Sequence, residues 1–104
     1  MVACVFWARF FLAKRDVVLA MCDDELLDKR IGDGNLKVTV SKHFYGEKLI
    51  ESEADAVKCM GMCSIGNLIG KRIVALAQKN GFITKENIIS IGGVPHAQFV
   101  KLQV

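Results

Sequence analysis

The pattern of apolar and polar residues predicts a β-hairpin at the start of the chain. Residues 2–12 are rich in β-branched and aromatic side chains, which favours a strand. Residues 17–22 are apolar on both faces, as expected of a strand in the interior of a sheet. Residues 13–16, three of which are charged, lie between the two segments and predict the turn that joins them.

The pattern then changes to a helix followed by a strand. Residues 23–30 predict a short helix, because acidic residues begin the segment and basic residues end it. Gly32 stands where a left-handed residue usually follows a helix. Residues 36–40 alternate between apolar and polar, which predicts a strand with one solvent-facing side. Residues 42–51 predict a loop.

The second half of the chain predicts two helices and two strands. Ser52 and Asp55 are spaced as a helix-capping pair, so the first helix is expected to extend to about residue 60. Residues 65–80 carry apolar side chains at helical spacing and predict a longer helix. Residues 88–91 and 97–104 predict strands. The order β-β-α-β-α-α-β-β predicts a single α+β domain over the whole chain, with two layers: a mostly antiparallel sheet and helices packed on one face.

Composition agrees with one globular domain. The chain has 104 residues, of which 52% are hydrophobic and 24% are charged. The net charge of +3 permits an anionic partner but lacks the dense basic run of a nucleic-acid-binding arm. The apolar start is interrupted by Arg9, so it is too short to span a bilayer, and it lacks the pattern of a secretory signal. We therefore expect a cytoplasmic protein without a membrane partner.

The cysteines are expected to be reduced thiols in apolar surroundings. They are Cys4, Cys22, Cys59 and Cys63. Cys59 and Cys63 are four residues apart, and together with Cys22, His43 or His96 they could supply zinc ligands. Structural zinc sites usually take their ligands from two closely spaced pairs, however, and the sequence has no second pair. The sequence therefore predicts no metal and no cofactor.

Residues 91–98 contain the most distinctive candidate site. They read Ile-Gly-Gly-Val-Pro-His-Ala-Gln, and a turn just before the proline predicts a positive φ at Gly92 or Gly93. His96 and Gln98 would share one face of the last strand. The candidate ligand-binding residues are Gly92, Gly93, His96, Gln98 and Tyr45. A hydrogen-bonded histidine at the edge of the core is the alternative, and no second catalytic group can be named.

Basic and aromatic residues suggest a second candidate surface. The candidate nucleic-acid-binding residues are Arg9, Lys48, Lys71 and Arg72. Trp7 and Phe11 would lie on the same face of the first strand as Arg9, where they either stack on bases or pack into the core.

Three stretches of the chain carry a family resemblance. They are Met21-Cys-Asp-Asp-Glu-Leu-Leu, Phe44-Tyr-Gly, and Asn67-Leu-Ile-Gly followed downstream by Ile91-Gly-Gly-Val-Pro-His-Ala-Gln. In their order and separation, over nearly the whole chain, they resemble an archaeal family known as domain of unknown function 424. The resemblance implies an archaeal cytosolic protein with a compact α+β fold and a translation-related role. It supplies no established activity or site residues.

Three functions follow as hypotheses. The leading one is a non-enzymatic binding module for RNA or a ribonucleoprotein. The first alternative is a small-ligand binder or enzyme centred on His96 and Gln98, and the second is a structural subunit that binds other proteins. A continuous positive surface would favour the first, a polar-lined pocket at His96 the second, and a large exposed apolar patch the third. The oligomeric state is left open.

Overall fold

The computed structural model describes residues 5–101, which form eight strands, three α-helices and two 3-10 turns. The strands are β1 (Phe6–Ala13), β2 (Asp16–Asp23), β3 (Arg30–Asp33), β4 (Leu36–Thr39), β5 (Lys48–Ile50), β6 (Ile65–Ile69), β7 (Ile88–Ile91) and β8 (Val94–Val100). The helices are α1 (Lys42–Tyr45), α2 (Glu53–Met62) and α3 (Lys71–Lys79), and the 3-10 turns are Asp24–Leu26 and Lys85–Asn87. None of the helices in this part of the chain is long and apolar enough to cross a membrane.

Six of the strands form one sheet in the order β5-β1-β2-β6-β8-β7, and β3 and β4 form a separate hairpin. All neighbouring strands pair antiparallel except β2 and β6, which are parallel. The predicted α+β class and the predicted mostly antiparallel sheet are therefore confirmed.

The sheet carries a separate apolar cluster on each face. Leu19 of β2 belongs to the cluster that includes residues of α2 and α3, and its neighbour Ala20 belongs to the other. This alternation is the ordinary period of a strand. We call the first side the helix face. We call the second the hairpin face, because Val40, which directly follows β4, and Tyr45 of α1 pack there. With elements on both sides of the sheet, the predicted two-layer packing is not confirmed.

Several local predictions are confirmed. β1 and β2 form the expected antiparallel hairpin. The Ser52 hydroxyl accepts a hydrogen bond from the Asp55 amide at 3.1 Å and caps α2. Gly92 and Gly93 form the turn between β7 and β8 with φ values of 56° and 81°, so the predicted positive φ occurs at both glycines.

The predicted helix at residues 23–30 is wrong. Asp23 is the last residue of β2, only a 3-10 turn follows, and Gly32 lies within β3 rather than after a helix. Asp23 is 2% exposed, and its carboxylate accepts hydrogen bonds from the amides of Arg72 and Ile73, both at 2.9 Å. The acidic residue thus caps α3 from a distant strand, and it does not begin a local helix.

The predicted helix at residues 65–80 is wrong in its first third. Residues 65–69 form β6, which pairs with β2, and α3 begins only after Gly70. Gly70 has a φ of 127°, and a Cβ atom there would lie 2.4 Å from the Asp23 carboxyl carbon. Both facts require glycine where the strand turns into the helix. The predicted loop at residues 42–51 also differs, since it contains α1 and β5.

Three cysteines of the described residues are free and buried, and Cys4 lies outside those residues. Burial raises the pKa of Cys22 to about 12, and it also raises the pKa values of Cys59 and Cys63. The Cys63 thiol donates to the Met60 carbonyl oxygen at 3.3 Å. Within residues 5–101, no three His, Cys, Asp or Glu side chains are grouped closely enough to hold a metal ion.

Candidate ligand cleft

A cleft of about 330 Å³ opens on the hairpin face, between β4, α1 and the sheet. Its walls are mainly apolar and are formed by Val38, Val40, Phe44, Ile69 and Ile91. Its polar residues are Thr39, Tyr45, Asn67 and His96, and none of the residues around it carries a full charge at neutral pH. A cavity of this volume, with apolar walls and a few polar groups, is typical of a small-molecule site.

Three polar side chains of the cleft are joined by hydrogen bonds. The Asn67 Oδ1 atom accepts a hydrogen bond from the Tyr45 hydroxyl at 3.0 Å. The His96 Nε2 atom lies 3.1 Å from the same oxygen. Asn67 lies on β6 and His96 on the neighbouring strand β8, where His96 pairs with Ile69. The sheet register therefore places the Asn67 amide beside the His96 imidazole, and α1 supplies the phenol of Tyr45.

These three side chains are uncharged at neutral pH. Burial lowers the pKa of His96, so its imidazole is neutral. Because an amide oxygen only accepts hydrogen bonds, Nε2 of His96 must carry the proton and Nδ1 must be an acceptor. Burial also raises the pKa of Tyr45, so its hydroxyl keeps its proton. The arrangement is suited to hydrogen bonding with a neutral molecule.

An aromatic stack borders the cleft. The rings of Phe11 and Phe44 are stacked with their centroids 5.2 Å apart, and Phe44 also meets Tyr45 edge-on at 4.9 Å. The Arg9 guanidinium lies 4.7 Å from the centroid of the Phe11 ring. Arg9 is held there by a 2.8 Å hydrogen bond from Nη1 to the carbonyl oxygen of His43. We call Arg9, Phe11 and Phe44 the aromatic stack.

Two of the five predicted ligand-binding residues, Tyr45 and His96, line the cleft. Gln98 is exposed and pairs with Asn67 in the sheet, so it lies beside the cleft. A Cβ atom on Gly92 would lie 2.5 Å from the backbone nitrogen of Gly32, so this glycine packs the turn against β3.

The fifth predicted residue, Gly93, lies away from the cleft. It lines a separate pocket of about 240 Å³ with Asp23, Lys71 and Pro95. The two glycines of the turn therefore shape the fold around the cleft and do not line it.

The four predicted nucleic-acid-binding residues do not form one surface. Lys48 pairs with Ala8, whose side chain belongs to the helix-face cluster, whereas Arg9 points to the hairpin face. Lys71 is exposed at the start of α3. Because Lys48 and Arg9 lie on opposite faces of the sheet, the four residues do not form one continuous basic patch.

Arg72 is engaged by acidic partners. Its Nη2 atom lies 2.8 Å from Asp24 and 2.9 Å from Glu25, and its guanidinium lies 5.0 Å from the centroid of the Phe6 ring. A phosphate group would have to compete with two carboxylates for this side chain.

Asn67 is the residue of the hydrogen-bonded cluster that was not predicted from the sequence. A helix over residues 65–80 would place Asn67 opposite the apolar side chains, on an exposed helix surface. Read as a strand, Ile65, Asn67 and Ile69 share one face, and a polar residue in an otherwise apolar row would have been the signal.

The fold and the cleft define a small α+β domain with a site of the size that suits a small molecule. The chain belongs to the family described as protein of unknown function DUF424, whose profile matches residues 12–102. It is similar to the crystal structure of an uncharacterized conserved protein from Methanopyrus kandleri, with a TM-score of 0.78 and 23% sequence identity over 96% of each chain. At that identity the likeness shows the fold alone. No curated protein matches the chain.

Proposed function

We propose that this protein is a binding module for a small molecule, which occupies the cleft between β4 and the sheet. The observation that carries the proposal is the convergence of Tyr45 and His96 on Asn67 at an apolar-walled cleft of about 330 Å³. Buried or half-buried polar groups cost free energy unless they are paired, so a polar cluster at an apolar cavity is a common sign of a binding site.

Binding without catalysis is the function that this chemistry favours. Among the described residues that line the cleft, His96 is the only one whose side chain type ordinarily has a pKa near neutrality, and its neighbours Tyr45 and Asn67 supply no base or nucleophile to work with it. Cys22, which packs in the same apolar cluster as Tyr45, is protonated because its pKa is about 12.

RNA or a ribonucleoprotein is the second candidate partner, and the aromatic stack favours it. A guanidinium and two stacked rings at the surface are groups on which unpaired bases can stack. The separation of Arg9, Lys48 and Lys71, and the engagement of Arg72 by carboxylates, weigh against a broad phosphate-binding surface. An archaeal, cytoplasmic and translation-related setting is part of this second candidate.

The proposal can be tested by closing the cleft. Thr39 is exposed and lines the cleft, so Thr39→Trp should fill it while leaving the core intact. Ser90→Trp is the matched control, because Ser90 is also an exposed strand residue but does not line the cleft. The probes are three mixtures of neutral heterocycles, small carboxylates and aliphatic alcohols, and binding is read by saturation-transfer NMR.

We expect at least one mixture to bind the wild type and the Ser90→Trp variant and to lose binding in Thr39→Trp. Equal signals in all three proteins would place the binding elsewhere and contradict the proposal. Absence of signal from every mixture in the wild type would contradict it as well. Circular dichroism spectra of both variants establish that they are folded.

A further inference from the structure

We propose that the outer edge of β1 is a strand-addition site, at which an extended apolar peptide of a partner protein pairs with Phe10 and Leu12. The peptide carries acidic residues at its ends. This site is separate from the cleft, and it adds a protein partner to the small molecule of the proposed function.

The open edge of β1 begins where β5 ends. β1 pairs with β2 along its whole length, from Phe6 to Ala13. β5 pairs with only the first three of these residues, and its last partner on β1 is Ala8. Residues 10–13 therefore have a neighbouring strand on one side only, over a length of about 13 Å.

The backbone groups of Phe10 and Leu12 point out of this edge. The Val5 carbonyl oxygen accepts a hydrogen bond from the Asp24 amide at 3.3 Å, which places Val5 among the residues that face β2. Successive residues of a strand direct their N–H and C=O groups to opposite sides, and the register between β1 and β2 is continuous, without a bulge. The even-numbered residues of β1 therefore face away from β2.

Two backbone donors and two acceptors are left at the edge. Phe6 and Ala8 face β5 and pair with it. Within the described part of the chain, no hydrogen bond reaches the N–H or C=O group of Phe10 or Leu12. An unpaired edge of this kind is a template for another strand, and a peptide that pairs there gains main-chain hydrogen bonds whatever its sequence.

The side chains along the edge are apolar. Leu12 is 87% exposed, and Phe10 is partly buried against the helix-face cluster. On the other face of the sheet, Phe11 stacks on Phe44. Soluble proteins usually blunt an exposed edge with a charge or a proline, and residues 10–13 contain neither. The edge is therefore suited to a peptide whose central residues are apolar.

The ends of the open edge are basic. Lys14 and Arg15 form the turn after β1, at one end, and Lys48 pairs with Ala8 at the other. None of these three basic residues forms a salt bridge within residues 5–101. A partner strand with acidic ends would place opposite charge beside them.

Two acidic residues adjoin the basic ones in sequence, but both are engaged. The Glu47 carboxylate lies 3.9 Å from Nε of Arg9. The Asp16 carboxylate accepts a hydrogen bond from the Ser64 hydroxyl at 2.9 Å. The charge that is free to meet a partner is therefore positive at both ends of the edge.

A second copy of the chain fits this edge poorly. In an antiparallel pair of two β1 strands, Phe10 of each copy would lie opposite Leu12 of the other. Lys14 of the second copy would then lie opposite Ala8, a place taken by Lys48. Such a dimer would bring two lysines together, whereas a separate peptide can carry acidic residues there and can leave the edge at its end.

The first experiment measures the fluorescence polarisation of the labelled peptide fluorescein-Asp-Val-Thr-Val-Thr-Asp with the full chain. Two analogues carry N-methyl groups, one on both valines and the other on both threonines. Strand pairing uses the N–H groups of alternate residues, so one analogue should bind about tenfold more weakly and the other should stay within about threefold of the parent. Replacing both aspartates with lysine should weaken binding about tenfold at low salt.

Two results of the first experiment would overturn the proposal. One is equal binding by the two N-methylated analogues, because that would exclude strand pairing. The other is no binding of the parent peptide at about 0.5 mM protein, since main-chain pairing does not depend on a particular sequence.

A proline variant tests the edge from the protein side. Leu12→Pro removes one outward N–H group and leaves the hydrogen bonds to β2 in place, so it should weaken peptide binding about tenfold. Ser90→Pro on the edge strand β7 is the matched control. Ser90 also faces outward, because it pairs with Pro95, whose carbonyl oxygen accepts from Gly70 on the far side. This control should bind the peptide within about twofold of the wild type.

Hydrogen exchange of the wild-type amides locates the peptide without any variant. With peptide at about ten times its dissociation constant, the amides of Phe10 and Leu12 should exchange about tenfold more slowly. The amides of Arg9 and Phe11 face β2 and should change by less than about twofold. Equal changes at all four amides would overturn the proposal. Slow exchange at Phe10 and Leu12 without peptide, together with a dimer in sedimentation, would assign the edge to a second copy and overturn it as well.

Discussion

The two faces of the sheet differ in burial and polarity, although neighbouring residues of the same strands alternate between them. On the helix face, Leu68 and Ala97 are almost fully buried in the cluster that α2 and α3 cover. On the hairpin face, their neighbours Asn67 and His96 are only partly buried and meet each other through a hydrogen bond. One face is closed by helices with apolar side chains, and the other keeps a polar cluster in an open cleft. From this difference we expect stability to reside mainly in the helix face, and we propose that a ligand binds at the hairpin face.

The largest expected effect comes from the helix face. Leu68→Ala should lower the free energy of unfolding by roughly 2–5 kcal/mol, because it removes a fully buried side chain and leaves a cavity. Val100→Ala on the other side of the sheet should cost less than about 0.5 kcal/mol, since Val100 is 63% exposed. Urea unfolding of the two variants measures both values. Similar losses of unfolding free energy in the two variants would show that the two faces contribute equally to stability.

The turn that holds the hairpin against the sheet should give the next largest effect. Gly92→Ala is expected to cost about 2 kcal/mol or more, because alanine is strained at a φ of 56° and its Cβ would meet the backbone of Gly32. Gly93→Ala is the matched control, with a similar positive φ but open space around the Cβ, and should cost about 1 kcal/mol. If the two variants lose the same stability in thermal unfolding, the contact between the turn and β3 is unimportant.

The hydrogen bond from Tyr45 to Asn67 should contribute less to stability than the turn does. Tyr45→Phe removes only the hydroxyl that donates to Asn67, so we expect a loss of about 1 kcal/mol. Because Asn67 Oδ1 is then held by His96 alone, the side-chain amide should become more mobile. Broadening or averaging of the Asn67 Hδ2 signals in NMR spectra checks this. An unchanged amide with unchanged stability would show that Tyr45 does not position it.

Much of the fold could be predicted from the sequence, because strands such as β2 and β4 have a regular alternation of apolar residues or are apolar throughout. β6 could not, because Ile65, Leu68 and Ile69 fit the spacing of a helix as well as they fit a buried strand. The helix α3 continues the same spacing after Gly70, so strand and helix formed one apparent pattern.

The elements α1 and β5 were missed for a different reason. They have four and three residues, too few for a periodic signal, and they are held by the strands around them.

The candidate site was predicted only in part, because a local sequence pattern marks some of its residues and not others. His96 was found because its turn has a local signature of two glycines and a proline. The role of Asn67 depended on recognising β6, and the ion pairs of Arg72 join residues that are 47 and 48 positions apart in the chain. Such contacts come from the topology of the sheet, which local spacing does not encode.

The smallest expected effect is the pH dependence that His96 contributes. Because the folded-state pKa of His96 lies below its ordinary value of 6.5, the unfolded chain takes up the proton first as the pH falls. His96 should therefore lower stability progressively below about pH 6.5 and contribute nothing to the pH dependence well above it. His96→Gln should remove this part of the dependence, and His43→Gln should retain it. Urea unfolding between pH 5 and pH 8 would contradict the account if the two variants behaved alike.

The most direct test of the contrast between the two faces follows side chains of neighbouring residues during one titration with the probe mixture that binds in the saturation-transfer experiment. We predict that the Asn67 side-chain amide and the His96 ring signals shift in a saturable manner, while the methyl signals of Leu68 and Ala97 stay within the range of a buffer control. These residues alternate along β6 and β8, so the comparison separates the faces within a single strand. Shifts of the Leu68 and Ala97 methyls equal to those of Asn67 and His96, or no shift at either face, would contradict the assignment of ligand binding to the hairpin face.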